Sequence, residues 1–139
     1  MAGPWRVKFV HQRVIADLGP EFEGWRFDNG VMKRVVERLG YVPWIVYGNS
    51  GSTYEEDGKD EVYGVRCVCP VCYDFAGRVS IRPLPSESPV TWEWNGSMDA
   101  PTLTPSVATQ APPNCSYHVW VRDGQIIDAG TPAHGPKEA

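Results

Sequence analysis

A chain of 139 residues has room for one domain with a real core, and 42% hydrophobic content with six Trp excludes a disordered tail. Thirteen Lys and Arg against 17 Asp and Glu leave a net charge of −4, which argues against a protein held mainly to nucleic-acid phosphates. Seventeen Val and five Ile against four Leu, with 14 Gly and 13 Pro, favour strands and turns over helices.

Taken in chain order, Met1–Arg6 has no apolar stretch after its basic residue, and no later run approaches ~18 apolar residues. Neither secretion by a signal peptide nor a membrane span is expected. The alternation in Trp5-Arg-Val-Lys-Phe-Val10 predicts a half-buried strand. Asp28 or Asn29 can cap a helix from about Val31 to Leu39, with Val31, Val35 and Leu39 on one face and Gly40 as the residue that ends it. Tyr41–Tyr47 is apolar enough for a strand, and Pro43 pushes it toward a sheet edge. Glu55–Glu61 carries five acids and one Lys, a solvated loop without the spaced ligands of a calcium site.

From Val62 the texture becomes strand, turn, strand. Val62–Val68 and Arg78–Ile81 flank a cysteine cluster. Val90–Trp94 alternates, with Trp92 and Trp94 on one face and Glu93 on the other. Asn95-Gly96 and Asp123-Gly124 are dipeptides of primed hairpin turns, the second joining Val119–Val121 to Gln125–Ile127. Prolines from Pro83 to Pro113 punctuate the links. The fold class expected is a β-rich α+β protein: residues 1–61 form a small N-terminal α/β cap with one helix and the acidic loop, and residues 62–139 form a zinc-braced antiparallel β domain.

The strongest chemical signal is Cys67-Val-Cys69-Pro-Val-Cys72, followed by Cys115-Ser-Tyr-His118. In a reducing compartment such cysteines are more often metal ligands or thiols than disulfides. Cys69 and Cys72 have the two-residue gap with which a tight turn points two thiolates at one metal, and Cys115 and His118 repeat it. Cys69, Cys72, Cys115 and His118 therefore form a candidate closed Cys3His set for a structural zinc ion. Cys67 is either a replacement ligand or a small buried hydrophobe. Redox chemistry is disfavoured, because the motif sits between strands rather than at a helix N-terminus. His11 and His134 read as ordinary histidines.

The string Cys69-Pro-x-Cys72, then Trp92-x-Trp94-Asn95-Gly96 with Pro101-Thr102-x-x-Pro105-Ser106, then His118-x-x-Val121-x-Asp123-Gly124-x-Ile126 resembles a small zinc-ribbon-like family. Its members occur in bacteriophage and prophage genomes, have no assigned activity, and often carry the label "ammonia monooxygenase". The resemblance covers residues 67–135 and departs in two places. The family has Cys directly before His, where Tyr117 stands here, and a D-x-T-H-x-x-x-G segment that Asp128–Gly135 only approximates. The fourth ligand thus stays open between Cys115, Cys67 and His134. The oxygenase label fits poorly, because such a site needs copper or iron with open positions and several histidines or carboxylates.

No nucleophile, base and orienting group stand together in the sequence, so no enzyme is expected. A base-stacking role for Trp92 and Trp94 would want Lys and Arg around them, and residues 84–121 contain none. The expectation is a non-enzymatic phage structural or accessory protein, of virion or capsid-decoration type, touching other phage proteins and most simply the capsid. The alternatives are an intracellular phage protein that binds or inhibits a host factor, and a zinc-dependent nucleic-acid-binding module. Six Trp also predict an exposed apolar patch or sheet edge, for which residues 1–47 are the better candidate.

Overall fold

The computed structural model describes residues 4–23, 28–48, 62–81, 91–111 and 115–129, with the side chains at 76, 109–111 and 115–117 left aside. The acidic loop 55–61, Trp25, Pro83 and His134 lie outside the described residues. The chain is β-rich. Among the described residues one eight-stranded sheet carries the fold, together with two helices and a single helical turn.

The alternating N-terminal stretch is strand β1, Trp5–Val10, with Val7, Phe9 and Val10 buried and Arg6 exposed. A helical connection follows: α1 is Gln12–Ala16, a short turn covers Pro20–Phe22, and α2 is Asn29–Leu39. The ends of α2 are set by the residues that the sequence marks for them. The Asp28 side chain accepts a hydrogen bond from the Val31 N–H at 2.7 Å, satisfying a donor that has no partner within the helix. Gly40, at φ 82°, adopts the left-handed turn and donates its N–H to the Val36 carbonyl at 2.8 Å. Met32 and Val35 are the fully buried residues of this helix, and Val31 and Leu39 pack partly beside them.

The helices return the chain to β2, Val42–Tyr47, which runs parallel to β1 with Val7 opposite Val42 and Val10 opposite Ile45. All six residues of β2 are buried, as a strand covered on both faces requires. Pro43 does not put β2 on an edge: β2 lies between β1 and β3. The reason is local. Strand β3, Gly64–Val68, pairs with β2 only from Ile45 to Tyr47, so the ladder never asks Pro43 for an N–H on that side.

The remaining strands are antiparallel: β4 is Phe75–Ser80, β5 Glu93–Trp94, β6 Leu103–Ala111, β7 Cys115–Arg122 and β8 Gln125–Asp128. Their order is β4-β3-β2-β1-β8-β7-β6-β5. Strand β1 therefore lies between β2 and β8, and one sheet runs through both the 1–61 and the 62–139 segments. One core does the same, taking Val7, Phe9 and Trp44 from the first and Val65, Leu103, Val119 and Ile126 from the second. The sheet curls until its ends meet, where the Trp92 N–H donates to the Ser80 carbonyl at 2.8 Å.

Two turns differ in how the sequence announces them. Asp123 at φ 50° and Gly124 at φ 78° make the expected two-residue connection of β7 to β8. Asn95-Gly96 instead opens a longer loop, residues 95–102, stitched by its own side chain. Asn95 Oδ1 accepts from the N–H groups of Ser97 and Thr102, each at 3.1 Å, and Asn95 Nδ2 donates to the Ala100 carbonyl at 3.2 Å. An Asx side chain here replaces the tight primed turn. Of the described tryptophans, Trp44 is fully buried and Trp5, Trp92, Trp94 and Trp120 are half-buried; the exposed large hydrophobics among the described residues are Val14 and Val71.

Candidate active site

Strands β6 and β7 pair with a register shift between Leu103 and Val107, beyond which Val107 faces Val119 and Ala108 faces His118. Pro105, joined to Thr104 by a cis peptide, lies within the shift. Ser106 follows it directly. Strand alternation puts Ser106 on the same face as Ala108, and hence on the face of His118. The two side chains meet: Ser106 Oγ lies 2.6 Å from His118 Nε2, and both residues are half-buried.

Each strand is held on its far side. The His118 carbonyl accepts the Ala129 N–H at 3.0 Å, which ties β7 to the end of β8. The Ser106 carbonyl accepts the Trp92 indole N–H at 3.1 Å. A hydroxyl within hydrogen-bond reach of an imidazole nitrogen can pass its proton to that nitrogen as the oxygen attacks an electrophile. The pair therefore has the geometry of a nucleophile and its base. The sequence contains both residues twelve apart but gives no sign that they meet. Only the β6–β7 register brings them together, across a shift that no local pattern marks.

The cysteines of the candidate zinc set are placed as follows. Cys69 directly follows β3 and is fully buried; its Sγ accepts the Val71 N–H at 3.4 Å. The turn closes with the Tyr73 N–H donating to the Cys69 carbonyl at 3.0 Å and the Cys69 N–H donating to the Asp74 carbonyl at 2.9 Å. Tyr73 takes a left-handed conformation at φ 65°. Cys72 is half-buried, with Sγ 3.7 Å from Asp74 Oδ2. Cys67 is fully buried on β3, and none of these three cysteines is disulfide-bonded. Cys115 opens β7 opposite Ala111, and its side chain lies outside the described residues. Among the described residues, no three His, Cys, Asp or Glu side chains are grouped so as to hold a metal ion. His118, the fourth member of the set, is the residue that meets Ser106.

No curated protein and no solved structure matches the chain. A family model described as "Bacterial ubiquitination-like system serine protease (BubE)" matches residues 45–129. That span runs from β2 to the end of β8 and includes Cys69, Cys72, Trp92, Ser106 and His118. Since it takes in more than half of the sequence, the chain belongs to the BubE family.

Proposed function

We propose that this protein is a serine protease in which Ser106 is the nucleophile and His118 its base. The observation that carries the reading is the 2.6 Å contact between Ser106 Oγ and His118 Nε2. The family description, a serine protease of a bacterial ubiquitination-like system, supports it. In this mechanism Ser106 Oγ attacks the carbonyl carbon of a peptide bond while its proton moves to His118 Nε2. The tetrahedral adduct collapses with loss of the amine, which takes the proton from His118. Water then hydrolyses the acyl ester, with His118 again accepting and returning the proton.

The test uses a fluorophosphonate, which forms an Oγ–phosphorus bond at an activated serine as fluoride leaves. The intact protein should gain one adduct, located at Ser106 by peptide mass spectrometry, and lose it in Ser106→Ala and His118→Ala. Absence of labelling, or labelling indifferent to both substitutions, would overturn the proposal.

A second reading keeps the expectation from the sequence: a non-enzymatic virion or capsid-decoration protein, built as an N-terminal cap and a zinc-braced domain. The Val71 N–H bond to Cys69 Sγ favours its zinc site alone, because such a donor stabilises a thiolate in a Cys-x-x-Cys turn. The two readings compete for His118, since an imidazole nitrogen bound to zinc cannot accept the serine proton. Stoichiometric zinc that is lost in His118→Ala, together with an unreactive Ser106, would select the second. Zinc retained in His118→Ala would leave His118 to Ser106.

A further inference from the structure

We infer that Trp92 is a positioning residue for Ser106, an inference that rests on the serine-protease reading above. Strand β5 pairs with β6 through Glu93 opposite Thr104 and Trp94 opposite Leu103. Continuing that register would set Trp92 opposite Pro105, which has no N–H to extend the ladder. Pairing stops there, one residue before the nucleophile, and the outward Ser106 carbonyl needs another donor. The Trp92 indole supplies it, with Nε1 3.1 Å from that carbonyl oxygen.

Trp92 is itself anchored. Its backbone N–H donates to the Ser80 carbonyl at 2.8 Å, and the Ser80 hydroxyl lies 3.4 Å from the Tyr47 hydroxyl. Tyr47 is fully buried in β2. One residue therefore joins the closing edge of the curled sheet to the peptide unit that bears Ser106. Fixing the Ser106 carbonyl fixes the plane of the 106–107 peptide and limits the directions in which Cβ and Oγ can point. The 2.6 Å contact with His118 survives only within a narrow range of those directions. Trp92 touches no reacting atom; it acts through the backbone of the residue that does.

The experiment compares full-length proteins carrying analogues at position 92. Benzothienylalanine replaces only the indole N–H by sulfur, and 7-azatryptophan keeps it. Reaction with a fluorophosphonate is followed at Ser106, with thermal unfolding measured on the same samples. The benzothienylalanine protein should label about tenfold more slowly at temperatures where it is fully folded, and the 7-azatryptophan protein should label at the wild-type rate. Equal rates for all three overturn the inference while leaving the protease reading intact. A wild-type protein that does not label at all removes both. If the sulfur analogue fails to fold, the wild-type protein decides. Its Trp92 indole proton–nitrogen resonance should move when Ser106 is modified while that of Trp44 stays, and a stationary Trp92 signal overturns the inference.

Discussion

Trp44 and Val68 are joined by a buried hydrogen bond, in which the Trp44 indole N–H donates to the Val68 carbonyl at 2.9 Å. It ties β2 to the end of β3, one residue before the turn that begins at Cys69. The indole also stacks on Phe9, with centroids 6.1 Å apart and planes inclined by 7°. One side chain thus connects the N-terminal strand, the middle of the sheet and the cysteine turn. Trp44→Phe keeps most of the stacking but strands a buried carbonyl, which should cost about 1–3 kcal/mol. Trp44→Ala also opens a cavity and should cost about 3–5 kcal/mol. Urea denaturation of both variants beside the wild type checks the order, and a Trp44→Phe midpoint equal to that of the wild type would show that the hydrogen bond contributes nothing beyond packing.

Gly64 and Gly40 should respond to alanine for different reasons. A Cβ at Gly64 would run into the Val79 carbonyl oxygen and the Tyr47 hydroxyl, on an antiparallel neighbour and a buried ring that have no room to give. At Gly40 a Cβ meets nothing within 4 Å, and the cost is only that of a left-handed backbone at φ 82°. Gly40→Ala should lose about 1 kcal/mol. Gly64→Ala should lose clearly more, about 2–3 kcal/mol or outright folding. A smaller loss at Gly64 than at Gly40 in thermal or chemical unfolding would contradict the packing around Tyr47.

What the sequence makes legible is what local chemistry decides. Alternation marks β1, Asp28 and Gly40 mark the ends of α2, and Asp123-Gly124 marks the β7–β8 turn. Strand β6 is hidden because Pro101 and Pro105 read as breaks. In the sheet Pro105 sits where the ladder to β5 has already ended, so its missing N–H costs little. Pro43 misleads in the same way in β2. Ser106 is one hydroxyl among several in a Thr-, Ser- and Pro-rich stretch, and nothing in that stretch distinguishes it. Its pairing with His118 exists only in the register of two strands, which long-range packing sets. The cysteine spacing, by contrast, is conspicuous in the sequence and drew His118 toward a metal role.

A small pH effect should come from the β1 surface. The Lys8 ammonium donates to Asp99 at 2.7 Å, and this bond and its charge hold the Asp99 carboxyl below the usual carboxylate range. A carboxyl depressed by folding binds its proton more readily in the unfolded chain. Its contribution is therefore complete above the unfolded value and is lost as pH falls through the folded one. The Asp99 side chain is 82% exposed, so the contribution is weak and screened by salt. Asp99→Asn should flatten the acid limb of a stability–pH curve at low salt and leave it unchanged at high salt. An acid limb identical to wild type at low salt would remove the ion pair from the account.

Strand β1 is hydrogen-bonded on both sides, parallel to β2 and antiparallel to β8, where Trp5 faces Ile126 and Arg6 faces Gln125. It also reaches the loop before β6, because the Phe9 N–H donates to the Met98 carbonyl at 2.9 Å. Val7, Phe9 and Val10 are buried, and the Phe9 ring lies 5.8 Å from that of Trp94 as well as against Trp44. Removing the Phe9 side chain alone costs about 3–5 kcal/mol, against a whole stability of about 5–15 kcal/mol for a domain. Deleting residues 1–10 removes three buried side chains and leaves β2 and β8 with bare edges in the middle of the sheet. The truncated protein should lose its near-ultraviolet circular dichroism and cooperative unfolding, and Ser106 should stop reacting with a fluorophosphonate. If residues 11–139 instead unfold cooperatively with a native near-ultraviolet spectrum, β1 is dispensable, and a fold that divides at residue 61 gains support.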